Sequence, residues 1–181
     1  MAIARISVPE YINDTVALMA GDLVYLSGVI YVARDQAHRR LFDAIKKGER
    51  IPIDLGSSVI YYCGPTPAPK GIAIGSCGPT TSSRMDSYLP LLMKNGLRIT
   101  IGKGGRSNEA IKSIKDYNGC YMIAAGGAGA FYSQFVKSYK VIAYSELRAE
   151  ALAALVVKDM PLIVAVDSKG GSVFSDYAQV R

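Results

Sequence analysis

The stretch LRITIGKGGRSNEAIKSIKDYNGCYMIAAG, residues 97–126, indicates the fold class of this chain. LRITIG and CYMIAAG predict strands, and NEAIKSIKDYN between them predicts a helix. Strands that alternate with helices are typical of α/β domains. Because the alternation holds from residue 57 onward, we predict an α/β layered domain whose N-terminal part is richer in strands.

The segments on either side extend this pattern. Upstream, strands are predicted for ARISVPE, VALMA and DLVYLSGVIYVA, with a turn at Gly21-Asp22. A helix is predicted for DQAHRRLFDAIKKGE, with Asp35 as its N-cap. SSVIYYCG and GIAIGS predict strands around the proline-rich PTPAPKG, and MDSYLPLLMKNG predicts a helix that ends at Gly96. GAFYSQFVKS predicts a helix, and KVIAYS, LAALVV and PLIVAVDS predict the closing strands. No linker or repeat interrupts the pattern, so residues 1–181 are predicted to form a single domain.

The composition is that of a globular protein, with 50% apolar and 20% charged residues. No apolar run approaches the roughly 20 residues of a membrane helix. The N-terminal MAIARISVPEYIN lacks the apolar stretch of a secretory signal, so we expect a cytoplasmic protein without a membrane partner. A net charge of +6 favours anionic partners, but no basic block is interleaved with aromatic residues. The charge alone does not decide between nucleic acid and a small polycarboxylate; among the functions weighed below, nucleic-acid binding ranks last.

The three cysteines, Cys63, Cys77 and Cys120, are widely spaced and form no CxxC pair, and His38 is the only histidine. This set is too sparse for a zinc site or an iron–sulfur cluster held by this chain alone. We predict buried free thiols, and nothing marks Cys77 as a cluster ligand.

The segment GPTTSSRMD, residues 78–86, contains the strongest candidate site. A hydroxyl of Ser82 or Ser83 capping a helix explains one of these residues, but not four hydroxyls together with Arg84. Helix amides and a guanidinium both bind anions. Arg34 and Lys103 each follow a predicted strand, so parallel strands would bring these cations to one carboxyl edge, where α/β sheets bind ligands. The pattern predicts a site for a small dianion.

Two glycine-rich segments, GKGGRS at 102–107 and GGAGAF at 126–131, match neither the P-loop spacing nor GxGxxG. We interpret both as turns between a strand and a helix, not as nucleotide sites.

A family resemblance is carried by five motifs, which occur in the order ARDQAH, YYCGPTPAP, GPTTSSRMD, GKG and MIAAGGAGAFYSQFV. The chain resembles, over most of its length, the β subunit or C-terminal domain of the class I (iron–sulfur) fumarate hydratase and L-tartrate dehydratase family. The resemblance implies a swivelling β/β/α domain. It also implies an α subunit that holds a [4Fe-4S] cluster, in an α2β2 assembly. The implied reaction is the hydration of fumarate to L-malate, a step of the tricarboxylic acid cycle. The alternatives are an L-tartrate dehydratase and a non-catalytic dicarboxylate-binding module.

By the same resemblance, Thr80 is the base, and Arg34, Arg84 and Lys103 bind the substrate carboxylates. A threonine hydroxyl is a weak base that requires nearby positive charge to act as an alkoxide. Thr81 is expected to support Thr80 by hydrogen bonding.

Structural roles remain open for some of these residues. Arg34 has Asp35 and Asp86 as possible partners, and Lys103 has the alternative of a plain surface lysine. His38 is expected on the face of its helix without a chemical role.

Overall fold

The structure, a computed structural model, describes residues 1–12 and 17–174. The strands in these ranges are Ile3–Val8 (β1), Leu23–Val32 (β2), Val59–Tyr61 (β3), Ile99–Gly102 (β4), Cys120–Ile123 (β5), Val136–Ala143 (β6) and Leu152–Val166 (β7). The α-helices are Asp35–Lys47 (α1), Leu89–Lys94 (α2), Asn108–Asp116 (α3) and Gly129–Ser133 (α4). Short 3₁₀ helices span Leu55–Ser57, Ser82–Met85 and Ser145–Glu150. In the two described ranges, every helix is too short or too polar to cross a membrane.

The strands form one sheet that closes on itself. Strands β1, β2, β3, β4 and β5 pair in parallel in that order, and β7 runs antiparallel to both β5 and β2. Strand β6 pairs with the first half of β7. The α/β class is therefore confirmed, with a barrel-like ring of β2, β3, β4, β5 and β7.

Two apolar clusters fill the two faces of this sheet. Successive side chains of a strand point to opposite faces. Val59 and Tyr61 of β3 thus join a cluster made mainly of strand residues inside the ring, whereas Ile60 and Tyr62 pack outside it against the helices. Both faces of β3 are buried, which is why its sequence is apolar without interruption.

The segment GIAIGS does not form a strand, contrary to the prediction. Ile74 is buried but Ile72 is exposed. The backbone amide of Thr66 donates to the carbonyl of Ser76 at 2.9 Å, and the amide of Ser76 donates to the hydroxyl of Thr66 at 2.8 Å. These bonds close residues 66–76 into a loop, so the chain here forms no sheet pairing. Of VALMA, residue 16 lies outside the described residues and 17–20 are not a strand.

The predicted helix MDSYLPLLMKNG is divided into two parts. Ser82–Met85 is a 3₁₀ turn, and α2 begins at Leu89 with Pro90 in its first turn, where a missing N–H is tolerated. Gly96 follows the end of α2 with φ +112°, as expected of a glycine that terminates a helix.

The C-terminal region contains fewer and longer elements than predicted. The predicted helix GAFYSQFVKS is helical only in α4, and its last three residues belong to β6. LAALVV and PLIVAV form one strand, β7. Asp159 adopts φ +52° within β7 opposite a register shift in β2, and its amide donates to the Ser27 hydroxyl at 2.9 Å. This bulge lets β7 continue to its end.

Candidate active site

The candidate residues lie at the carboxyl edge of β2, β3 and β4. Arg34 comes two residues after β2, and Lys103 directly follows β4. The parallel pairing expected at this edge is confirmed. The amide of Thr80 donates to the carbonyl of Tyr62 at 2.7 Å, which brings the loop of residues 78–86 (the GPTTSSRMD loop) to the end of β3.

A short backbone ladder fixes Thr80 next to Lys103. The amide of Lys103 donates to the carbonyl of Thr80 at 3.2 Å, and the amide of Ser82 donates to the carbonyl of Lys103 at 3.0 Å. Thr81 pairs with Lys103 as an isolated parallel bridge. Thr80 and Lys103 are partly exposed; within the described residues the Thr80 and Thr81 hydroxyls make no hydrogen bond, and Lys103 makes no ion pair. The bridge thus places the backbones of Thr81 and Lys103 side by side, with Thr80 one residue before the bridge.

Asp35 joins the two arginines of the site. Its Oδ2 accepts a bond from Arg34 Nε at 3.3 Å, and its Oδ1 accepts one from Arg84 Nε at 2.9 Å. Arg34 Nη2 also lies 3.4 Å from a carboxylate oxygen of Glu150. The predicted N-cap is wrong by one residue, because Arg34 is the N-cap and Asp35 begins α1. Of the two open partners for Arg34, Asp35 is the one the structure shows.

The charges at this edge are unequally exposed. Partial burial raises the pKa of Asp35, but its own backbone amide, Arg84 and Arg34 outweigh that effect, so the pKa is lower than usual. The Arg84 side chain is 49% exposed. A guanidinium has five N–H donors and Asp35 contacts only part of them, so Arg84 retains donors for a second anion.

The other end of the GPTTSSRMD loop is clamped in the interior. Arg106 Nε donates to Asp86 Oδ1 at 2.6 Å, and the amide of Ser107 donates to Asp86 Oδ2 at 2.7 Å. The Arg106 side chain is fully buried between the rings of Tyr62 and Tyr121, 5.4 and 4.8 Å from their centroids. Asp86 is therefore the partner of Arg106, not of Arg34.

Ser82 does not cap a helix, contrary to one reading of the sequence. Its buried hydroxyl lies 2.9 Å from the Tyr121 hydroxyl, and Thr81, the residue before the 3₁₀ turn, makes no side-chain cap bond. Gly102 makes room for this contact, because a Cβ there would overlap Ser82 Oγ and lie 2.9 Å from Tyr62 Cδ2.

Glycines in the other motifs also make room for the site. A Cβ on Gly64 would lie 2.7 Å from Arg34 Nη1, so the YYCGP motif leaves space for that guanidinium. Gly129, the first residue of α4, packs against Ser76, and its carbonyl accepts a bond from the Cys77 amide at 3.1 Å. The turn interpretations of GKGGRS and GGAGAF are both confirmed, since each joins a strand to a helix.

His38 lies on α1, as expected, and its side chain is on the buried face of that helix. Its Nδ1 is 3.1 Å from the carbonyl oxygen of Arg34. Burial, with a smaller contribution from Arg106, lowers the pKa of His38 to about 4. The imidazole is thus neutral near pH 7 and supplies no positive charge to the site.

The cysteines are free and buried, as predicted. Burial raises the pKa of Cys77 to about 11 and that of Cys63 and Cys120 still further, so all three are thiols at neutral pH. Among residues 1–12 and 17–174, no group of three or more His, Cys, Asp and Glu side chains is placed to hold a metal ion. The described residues therefore do not fit an iron–sulfur cluster held by this chain.

Sequence reasoning missed the residues that hold the site in place. Arg106 and Tyr121 are not among the predicted site residues, and Asp35 is predicted as a cap and a possible partner of Arg34 but not of Arg84. One signal in the sequence points to such a residue: Asp86 is a carboxylate at the end of a loop that is predicted to bind anions. A carboxylate in that position indicates a nearby cation that neutralises it.

Comparison with known proteins identifies the family. A family model described as Fumarase C-terminus matches residues 3–177. Because the match covers nearly the whole chain, the chain belongs to this family, as the sequence motifs indicated.

Individual relatives are of two kinds. The chain is 39% identical over 157 residues to "Fumarate hydratase 2" of Leishmania major and 40% identical over 151 residues to "Fumarate hydratase class I, aerobic" of Escherichia coli K12. These matches cover 86% and 82% of the chain but only 28% of each relative. "Putative L(+)-tartrate dehydratase subunit beta" of Methanocaldococcus jannaschii is 38% identical over 170 residues, covering 91% of the chain and 87% of that relative. The chain thus spans under a third of the fumarate hydratases and nearly all of the β subunit.

Proposed function

We propose that this chain is the β subunit of a hydro-lyase that reversibly hydrates fumarate to L-malate. Its active site would be completed by an α subunit carrying a [4Fe-4S] cluster. The observation that carries the proposal is the presence of Arg34, Thr80, Arg84 and Lys103 at one parallel edge of the sheet. We also propose a swivelling β/β/α domain and an α2β2 assembly, which the resemblance implies, and a cytoplasmic location.

The cations of the edge suit a dicarboxylate. Arg84 keeps free donors at a half-exposed position, and Lys103 is a cation without an ion pair in the described residues. Arg34 is held by Asp35 and Glu150, so it would bind substrate by exchanging one of these carboxylates. Fixing both carboxylates would orient the carbon atoms between them relative to Thr80.

Thr80 would transfer the proton. In the dehydration direction the Thr80 alkoxide would take a proton from the carbon next to the hydroxyl-bearing carbon, while the C–O bond breaks and the hydroxyl leaves with the bonding electron pair. The cluster of the α subunit would supply Lewis-acid assistance to this leaving hydroxyl, and hydration would be the reverse. Its hydroxyl is free of hydrogen bonds within the described residues, and the backbone ladder holds it beside the Lys103 backbone. Thr81 would support Thr80 only after a rearrangement, since the described residues show no bond between the two hydroxyls. No described residues fit the cluster, so we assign it to the α subunit and assign to this chain only carboxylate binding and proton transfer.

L-tartrate dehydratase is the second candidate. The Methanocaldococcus jannaschii relative, whose length the chain matches over 87%, is named as a subunit of that enzyme. Both substrates are four-carbon diacids, so the cations of the edge do not distinguish between them. A non-catalytic dicarboxylate-binding module fits these site residues less well, because Thr80 would then have no chemical role.

The test is anaerobic fumarate hydration, followed by fumarate absorbance, with this chain and a cluster-loaded α subunit. We expect loss of absorbance only when both chains are present, and a colourless, inactive chain alone. Turnover of L-tartrate without turnover of fumarate would select the second candidate. An intrinsic iron–sulfur spectrum in the isolated chain would contradict the assignment of the cluster to the partner.

The variant Thr80→Ala should lower turnover by about 10²–10⁴-fold, the range of general base catalysis, without loss of assembly. Ser83→Ala is the matched control, because Ser83 is an exposed hydroxyl of the same loop. Near-normal turnover of Thr80→Ala would exclude Thr80 as the base.

A further inference from the structure

Three buried polar atoms behind the candidate site lack a hydrogen-bond partner. They are His38 Nε2, Tyr62 Oη and Arg106 Nη2, and none of them has a partner among the protein atoms of residues 1–12 and 17–174. The side chains are buried: His38 and Tyr62 are 0% exposed, and the side chain of Arg106 is also 0% exposed. Buried polar groups are nearly always satisfied, so three in one place require an explanation.

His38 and Arg106 both pack against the ring of Tyr62. The ring centroids of His38 and Tyr62 are 5.1 Å apart, and Arg106 Cζ is 5.4 Å from the centroid of the same Tyr62 ring. The side chains that carry the three unsatisfied atoms come from α1, the end of β3 and the segment before α3, and these parts of the fold meet around the Tyr62 ring.

The hydrogen-bond chemistry of the atoms defines the occupant. The carbonyl of Arg34 can only accept, so His38 Nδ1, 3.1 Å away, carries the hydrogen and Nε2 presents a lone pair. Arg106 Nη2 can only donate. The occupant must therefore donate to His38 and accept from Arg106.

Few species meet both requirements. A halide cannot donate, and a metal ion cannot accept and would be repelled by the guanidinium. The charge of Arg106 is already balanced by Asp86 at 2.6 Å, so a second anion gains little. Water donates two hydrogens and accepts two, and buried waters typically make about three hydrogen bonds.

We propose that His38, Tyr62 and Arg106 bind one internal water molecule. The water donates to His38 Nε2, accepts from Arg106 Nη2 and bonds the Tyr62 hydroxyl. It connects α1, whose N-cap is Arg34, to the Asp86–Arg106 pair that clamps the GPTTSSRMD loop. The two arginine-bearing parts of the candidate site are thus linked behind the site as well as in front of it, where Asp35 joins them. This inference does not depend on the reaction that the protein catalyses.

A crystal structure of the full chain, at a resolution that shows ordered waters, tests the proposal directly. We expect one density peak within about 2.7–3.2 Å of all three atoms. A direct bond from the Tyr62 hydroxyl to His38 Nε2 with no peak would overturn the proposal. So would an anomalous signal at this position after a bromide soak, because it would identify an anion.

A solution measurement uses variants of the full chain. Water-oxygen relaxation dispersion counts long-lived internal waters, and we expect His38→Phe to lose one of them. Tyr88→Phe is the matched control and should lose no internal water. The Tyr88 ring also lies beside the His38 ring, with 6.0 Å between their centroids, but Tyr88 is not one of the three proposed water ligands. An equal count in His38→Phe and the wild type would overturn the proposal. If His38→Phe does not fold, the wild-type crystal still decides.

Discussion

Two arginine–carboxylate pairs hold the same loop from opposite sides, and they differ mainly in burial. Arg84 Nη2 and Asp35 Oδ1 are 2.8 Å apart, and the two side chains are 49% and 25% exposed. Arg106 Nε and Asp86 Oδ1 are 2.6 Å apart, and those side chains are 0% and 10% exposed. An exposed pair contributes little to stability and can exchange its partner for a ligand. A buried pair cannot lose one member without leaving an uncompensated charge in the interior. We therefore propose that Arg84 of the outer pair (Arg84–Asp35) binds the ligand and that the inner pair (Arg106–Asp86) positions the loop.

The largest effect should come from breaking the inner pair. Arg106→Gln leaves the Asp86 carboxylate buried with only the Ser107 amide as a partner, and we expect the free energy of unfolding to fall by about 3–5 kcal/mol. Urea unfolding at pH 7 measures this change. A loss below about 1 kcal/mol, as expected for an exposed pair, would remove the distinction between the two pairs.

The inner side should also be sensitive to acid through His38. Its pKa of about 4 in the folded chain lies below the value of about 6.5 expected when unfolded. Between these values only the unfolded chain binds the proton, so stability is complete above about pH 6.5 and falls as the pH is lowered toward 4. The shift corresponds to roughly 3 kcal/mol.

Urea unfolding of the wild type and His38→Phe at pH 7.5 and pH 4.5 measures this dependence. His38 is the only histidine, so subtracting the variant removes the contribution of the carboxylates. The charged groups that also act on the ring are Arg106, which lowers the pKa, and Asp35, which raises it. The same loss of stability in both proteins would show that His38 is not held neutral.

The packing around the inner pair gives a third, smaller effect. In Gly102→Ala the new methyl group would overlap Ser82 Oγ and crowd Tyr62, so we expect a loss of about 1–3 kcal/mol in the free energy of unfolding. Gly105→Ala is the control, since a Cβ at Gly105 would have its nearest neighbour, Phe174, 4.0 Å away. Equal stability of the two variants would mean that the loop is not packed as tightly as the inner pair implies.

The sequence predicts the outer side of this comparison better than the inner side. The strand ends at Arg34 and Lys103 follow from local alternation, and parallel pairing then brings them to one edge. The partner of Arg106 is Asp86, 20 residues away. The Arg106 guanidinium is buried against Tyr62, just after β3, and Tyr121 of β5. Closure of the sheet depends on pairing between β2 and β7, which includes a bond between Ser27 and Asp159, 132 residues apart. Such contacts leave no periodic signal in a single sequence, so local patterns could not predict them.

The smallest effect on stability should come from breaking the outer pair. Arg84→Gln removes a half-exposed cation, and we expect the free energy of unfolding to change by less than about 1 kcal/mol. Partial burial raises the pKa of Asp35, and Arg84 is one of the groups that oppose this effect. Because removal of Arg84 leaves burial less opposed, the lowered pKa of Asp35 should rise toward its ordinary value. A carboxylate with a lowered pKa stabilises the fold above its unfolded value of about 3.9 and loses that contribution as the pH falls through its folded pKa.

Carbon-13 NMR titration of the Asp35 carboxyl group in the wild type and Arg84→Gln measures this change, with Arg39→Gln as the control for removal of an exposed arginine from α1. If the pKa of Asp35 stays the same in Arg84→Gln, the pair does not persist in solution. If it rises while stability is nearly unchanged, the fold does not require Arg84, and its contact with Asp35 leaves it available to a carboxylate of the substrate.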